Sequence, residues 1–216
     1  MGIYIEALIL YFVLFFSGST GSLANGGEPD FSVAAGLVHT FAYTIPSLAL
    51  IWYLLLRARR LKDWYIAPGK KDLFSGLITL PCRLITGFIV ASVSSNIDKS
   101  AQMPLYSPST TPEWIVLCIS CISAAYLEES FFRFYILSRR RKFKLNDTSA
   151  LLLSVALFSI CHIYEGPWGF LNSVLSGALL AFIFLRYNSL HGIAIAHGLY
   201  NISVNVINAL IIQKAG

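Results

Sequence analysis

Residues 114–137 read WIVLCISCISAAYLEESFFRFYIL, an unbroken run that carries Glu128, Glu129 and Arg133 in its second half. A helix crosses the hydrocarbon core of a bilayer in about 20 apolar residues, so this run is long enough to span. A charge at membrane depth costs at least about 2.5–3.5 kcal/mol on insertion scales. Three charges in one such segment are therefore a functional-site hypothesis. Two questions follow: whether the whole chain is built for lipid, and what the charges do there.

The composition answers the first. Of 216 residues, 56% are hydrophobic and 12% charged, the latter about half of the roughly 25% in a soluble globular domain. Disorder is excluded, because it needs low hydrophobicity and high charge. A soluble globule is disfavoured too, since so few charges cannot cover a water-facing surface. Fifteen Phe, eleven Tyr and four Trp exceed what a core of this size could hide.

Seven apolar stretches can be read: Ile3–Phe16, Val33–Leu56, Leu73–Val93, Trp114–Leu137, Ser149–Ile163, Trp168–Arg186 and Leu190–Ile212. The first and fifth are short for a span. The first lacks the positive n-region of a signal peptide and is read as a helix. Glycine, serine and proline punctuate the breaks, at 17–21, 25–27, Pro104, Pro108, Pro112 and Gly166-Pro167. No repeat or linker marks a boundary. The expected architecture is one all-α membrane domain over residues 1–216, a polytopic transmembrane helical bundle of about seven spans.

The net charge of +5 does not indicate a nucleic-acid partner, because the basic residues cluster just after apolar runs. Such clusters mark cytoplasmic helix ends and can touch anionic lipid. With the N-terminus cytoplasmic, the inward loops hold Arg57, Arg59, Arg60, Lys62, Lys70, Lys71, Arg139, Arg140, Arg141, Lys142, Lys144 and Arg186. Outward segments hold Lys99 and Lys214, while Arg83 and Arg133 remain within helices. The positive-inside rule then places the C-terminus outside. Cys82, Cys118, Cys121 and Cys161 all sit in apolar runs and read as small buried hydrophobes, not as a disulfide framework.

Within the membrane, Glu129 and Arg133 are four residues apart on one helical face and can pair, whereas Glu128 is rotated by about 100° from Glu129. The fifth stretch carries His162 and the seventh carries His197 and Asn201, again four apart. At about 1.5 Å per residue from the cytoplasmic helix ends, Glu128 lies roughly 16 Å deep, His162 about 20 Å, His197 about 12 Å and Asn201 about 18 Å. Three stretches bring polar groups to a similar level, so an active site buried near the midplane is expected.

Glu128-Glu129-x-x-x-Arg133, then Phe158-x-x-x-His162, then His197-x-x-x-Asn201 resembles the CAAX-protease and bacteriocin-processing family of intramembrane proteases. That family includes the Ras-converting prenyl-protein endopeptidases and was formerly grouped as abortive-infection proteins. The motifs occur in the family's order, and the likeness covers about residues 114–208. It implies hydrolysis of a peptide bond in a membrane-associated protein or peptide, such as a C-terminally prenylated protein or a leader peptide.

The residues suit that chemistry. Water needs a base, which Glu128 could supply beside His162. The oxyanion needs donors, for which His197 and Asn201 are suited. Glu129 and Arg133 would position these groups, and Arg133 could also meet a substrate carbonyl or carboxylate. Glu128, His162 and His197 would also suffice as zinc ligands. The chain lacks the His-Glu-x-x-His spacing of zinc proteases, so a mechanism without a cofactor is preferred. A transporter or channel with a Glu-Arg-His relay, or a catalytically silent immunity or scaffold protein, are the competing readings. Arg83 and His191 lie outside the motifs; Gly177 reads as a close-packing position.

Overall fold

A computed structural model describes residues 3–16, 32–58, 67–98 and 108–215, with side chains as far as 211. Arg59, Arg60, Lys62 and Lys99, and the breaks at 17–21, 25–27 and 104, fall outside the described residues, and Lys214 lies beyond the last described side chain.

Among the described residues all regular structure is helical. Helix α1 runs Ile3–Tyr11 and continues as a π-wound stretch, Phe12–Phe16. Helix α2 comprises Val33–Val38, a π-wound His39–Thr44 and Ile45–Ala58. Helix α3 is Lys70–Ile97; α4 is Thr111–Leu137, α-helical to Glu129 and π-wound from Ser130. Helix α5 is Asp147–Ile160, α6 is Gly166–Tyr187 and α7 is Leu190–Ala215, with a short 3-10 turn at Ile163–Glu165.

Five of the seven are long and apolar enough to cross a membrane, and the short ones are α1 and α5. The protein is an integral, multi-pass membrane protein. Large apolar side chains such as Leu73, Leu77 and Phe88 on α3 and Phe182 on α6 are well over half exposed, as lipid-facing positions require.

Local chemistry sets the helix ends. Thr110 and Glu113 form a reciprocal capping box at the start of α4, with Pro112 in the first turn. The Asn146 side chain accepts from Ser149 N at 2.7 Å and caps α5. Helix α6 stops at Asn188, whose φ of 48° is left-handed, a conformation asparagine tolerates.

The chain divides into two compact units interleaved in sequence. One comprises 1–27, 82–103 and 131–188; the other comprises 28–81, 104–130 and 189–216. Two of the crossings fall inside continuous helices, at Pro81 in α3 and at the onset of π-winding in α4.

In the first unit, α5 and α6 form a closely packed hairpin. The Tyr11 hydroxyl donates to the Leu157 carbonyl at 3.0 Å, within a cluster of Tyr11, Phe15, Phe131 and Phe132 rings. Glu6 accepts from the Tyr135 hydroxyl and from Arg139, whose guanidinium lies over the Tyr135 ring. Tyr4 donates to the Phe143 carbonyl at 2.5 Å. The start of α1 and the basic turn at 139–144 therefore share one end of this unit.

In the second unit, α4 packs along α7. A Cβ on Gly198 would lie 2.6 Å from Ile122 Cδ1 and 3.0 Å from Ile122 Cα, so the missing side chain permits this approach. The Asp72 carboxylate binds three groups. It accepts from Gly69 N at 2.9 Å at the start of α3, and from Ser189 Oγ at 2.6 Å and Gly192 N at 3.4 Å at the start of α7. One buried anion thus serves the positive ends of two helices.

Candidate active site

The second unit carries Glu128, Glu129, His197 and Asn201. Glu129 Oε1 lies 2.8 Å from His197 Nδ1, and the two side chains are 0% and 4% exposed. An ionised carboxylate can only accept, so Nδ1 carries the proton of this bond. The other ring nitrogen, Nε2, lies 3.7 Å from Glu128 Oε2. Glu128 is 21% exposed and so is the carboxylate of the pair that water or a substrate can reach. Asn201, half-buried, follows His197 by one turn, and its backbone carbonyl accepts from Asn205 Nδ2 at 2.8 Å.

This geometry follows from the fold. Close packing of α4 on α7 at Gly198 brings the residue before it, His197, within reach of the two glutamates. Trp52 on α2 donates through Nε1 to Ser130 Oγ at 3.0 Å, tying α2 to the residue that follows Glu129. Tyr126 and His191 add a further α4–α7 contact at 3.2 Å. Sequence spacing exposed none of these supports, since each joins residues more than 60 positions apart. Their only local signals were a tryptophan in a membrane helix and a glycine beside a motif histidine.

The first unit carries Arg133 and His162. Arg133 is 0% exposed; its guanidinium lies 4.4 Å from the Phe158 ring centre, and Nη2 donates to the Gly177 carbonyl at 3.2 Å. A Cβ on Gly177 would come within 3.0 Å of Phe158 and 3.7 Å of Arg133 Nη2, so the glycine serves the close approach expected of it. A cation so placed is stabilised by the ring face and a carbonyl dipole.

One expectation is corrected for His162. The sequence placed it in the fifth helix, but α5 ends at Ile160 and His162 lies in the turn before Ile163–Glu165. The positive φ of Gly166 and the ring of Pro167 start α6 immediately afterwards, which leaves no room for the helix to continue. His162 Nδ1 lies 2.7 Å from the Phe158 carbonyl. A carbonyl oxygen accepts only, so Nδ1–H donates and Nε2 is left as an acceptor.

Among the described residues, no group of three His, Cys, Asp or Glu side chains is placed to hold a metal ion. The four cysteines are free thiols.

The chain is 25% identical over 186 residues to UPF0177 protein YbdI of Lactococcus lactis, covering 81% of this chain and 98% of that protein. No solved structure matches. A family model described as Rce1-like, type II CAAX prenyl endopeptidase, matches residues 110–203, a stretch that contains all three motifs. That match supports the resemblance the motifs carry: over residues 110–203 this chain is similar to the Rce1-like family.

Proposed function

We propose that this protein is an intramembrane endopeptidase that hydrolyses a peptide bond in a membrane-associated or lipidated protein or peptide. The observation that carries the reading is the Glu129–His197–Glu128 contact inside the stretch that matches a family of CAAX-type proteases. In the proposed reaction, Glu128 takes a proton from water, and His162 accepts a second hydrogen bond from the same water through Nε2. The hydroxide oxygen bonds to the carbonyl carbon. The carbonyl oxygen gains the charge, and Asn201 and His197 donate to it. Glu128 then returns the proton to the leaving nitrogen as the C–N bond breaks.

This scheme gives Glu129 a defined task. To donate through Nε2, His197 must carry protons on both nitrogens, because Nδ1–H already faces Glu129. In this scheme Glu129 is the positioning residue that orients the His197 ring. A Glu-Arg-His relay for transport gains no comparable support.

The test combines peptide cleavage with metal analysis on purified wild type and on Glu128→Gln, His162→Ala and His197→Ala. Loss of cleavage in all three, with no metal bound stoichiometrically to wild type, is expected. Stoichiometric zinc that disappears in the histidine variants would replace this mechanism with a metal-dependent one. Full cleavage by Glu128→Gln would overturn the assignment of the site.

A further inference from the structure

Three buried polar atoms on the α5–α6 hairpin make no hydrogen bond among the described residues: Ser159 Oγ, Asn172 Oδ1 and Ser176 Oγ. Ser159 and Ser176 are each 1% exposed. Their neighbours on the same hairpin show the usual alternative. Ser154 Oγ donates to the Phe132 carbonyl at 2.8 Å, and Ser173 Oγ donates to the Phe170 carbonyl at 2.7 Å. Helical serines commonly donate to a carbonyl one turn back, and these two do not. Buried polar atoms in native proteins are almost always satisfied, by protein or by ordered water.

Their positions are ordered. Asn172 and Ser176 are one turn apart and share a face of α6, and Ser176 precedes Gly177, whose carbonyl binds Arg133. Ser159 lies three residues before His162, whose backbone N–H donates to the Ser159 carbonyl at 3.0 Å. A Ser hydroxyl offers one donor and two acceptor sites, and the Asn172 oxygen offers acceptor sites. Only a small group that both donates and accepts satisfies all three. Water does so; a metal ion or an anion does not.

We infer that the α5–α6 hairpin binds ordered water at Ser159, Asn172 and Ser176, with the Ser159 water next to the turn that holds His162. The site's purpose, though not its existence, rests on the hydrolase reading: each cleavage consumes one water, and inside a bilayer that water must come from within the protein.

The experiment is X-ray radiolytic labelling of the full chain in lipid nanodiscs, read by mass spectrometry, since radicals formed from bound water mark adjacent side chains even in a core. Phe158, beside Ser159 and packed on Gly177, is the reporter; Ile51 and Leu55, both 0% exposed in the second unit, are dry controls. Phe158 should be modified at least several-fold faster than either control, and the excess should vanish in the Ser159→Ala/Ser176→Ala double variant. Phe158 as slow as the controls in wild type overturns the inference, whether or not any variant folds. Melting temperature supplies a sign. Removing a water-bound hydroxyl lowers it, whereas a rise in Ser176→Ala would mean that the hydroxyl sat dry and unsatisfied, which also overturns the inference. Labelling of Phe158 in Glu128→Gln separates the two claims, because the water should persist even if the proposed cleavage is wrong.

Discussion

At the scale of single residues, the chemistry turns on which nitrogen of each histidine is committed to a structural partner. His162 gives Nδ1 to a carbonyl and His197 gives Nδ1 to Glu129, so in each ring Nε2 is the nitrogen left for the proposed chemistry. Glu129→Gln tests this directly. The amide oxygen can still accept from Nδ1–H, but a neutral ring held that way has an unprotonated Nε2 that cannot donate to the oxyanion. Cleavage by Glu129→Gln should fall about as far as by His197→Ala, on the order of 10²–10³ in kcat, with KM little changed. A KM defect with normal kcat would show that Glu129 serves binding instead. Arg133→Met should instead lower the melting temperature, since it removes the cation from the Phe158 face and leaves the Gly177 carbonyl without that donor. The motif residues were legible in the sequence because charges in apolar runs are costly and stand out. The contact from Glu129 to His197 was not, because helical spacing reports neighbours on one helix and this contact joins residues 68 apart.

At the scale of elements, the seven helices followed from hydropathy, including the two that are too short to span alone. Two features lay beyond that signal. Hydropathy does not distinguish α from π winding, so the π-wound half of α4 was invisible, and it does not detect a helix end set by Gly166 and Pro167. Backbone approach is equally silent in composition, although it governs the fit of α7. Gly198→Val would force Ile122 away and should cost about 1–3 kcal/mol as overpacking. Because His197 rides on that contact, cleavage should fall along with stability. Gly192→Ala is predicted to be more damaging, since its Cβ would lie 2.2 Å from the Asp72 carbonyl, an atom of backbone that cannot swing aside. Thermal melts in detergent on both variants check the order; a Gly192→Ala protein as stable as wild type would show that α3 and α7 can separate without loss.

For the molecule as a whole, orientation is the open prediction. The start of α1 and the turn at 139–144 share one end of their unit, and basic residues concentrate in that turn, so both are expected on the cytoplasmic side. Single cysteines near Lys142 on a cysteine-free background should resist membrane-impermeant thiol reagents in intact cells and react after permeabilisation. Reaction in intact cells would reverse the topology. The Asp72 network carries a different consequence, one of timing. Asp72 meets Ser189 and Gly192 across 117 and 120 residues of chain, so the carboxylate emerges from the ribosome long before the groups that satisfy it. Until α7 is inserted, the nascent protein carries an anion lacking its Ser189 and Gly192 partners and has neither His197 nor Asn201. A chain truncated before residue 189 is therefore expected to hold α3 less firmly than the full chain, because the Asp72 carboxylate keeps only its partner at Gly69.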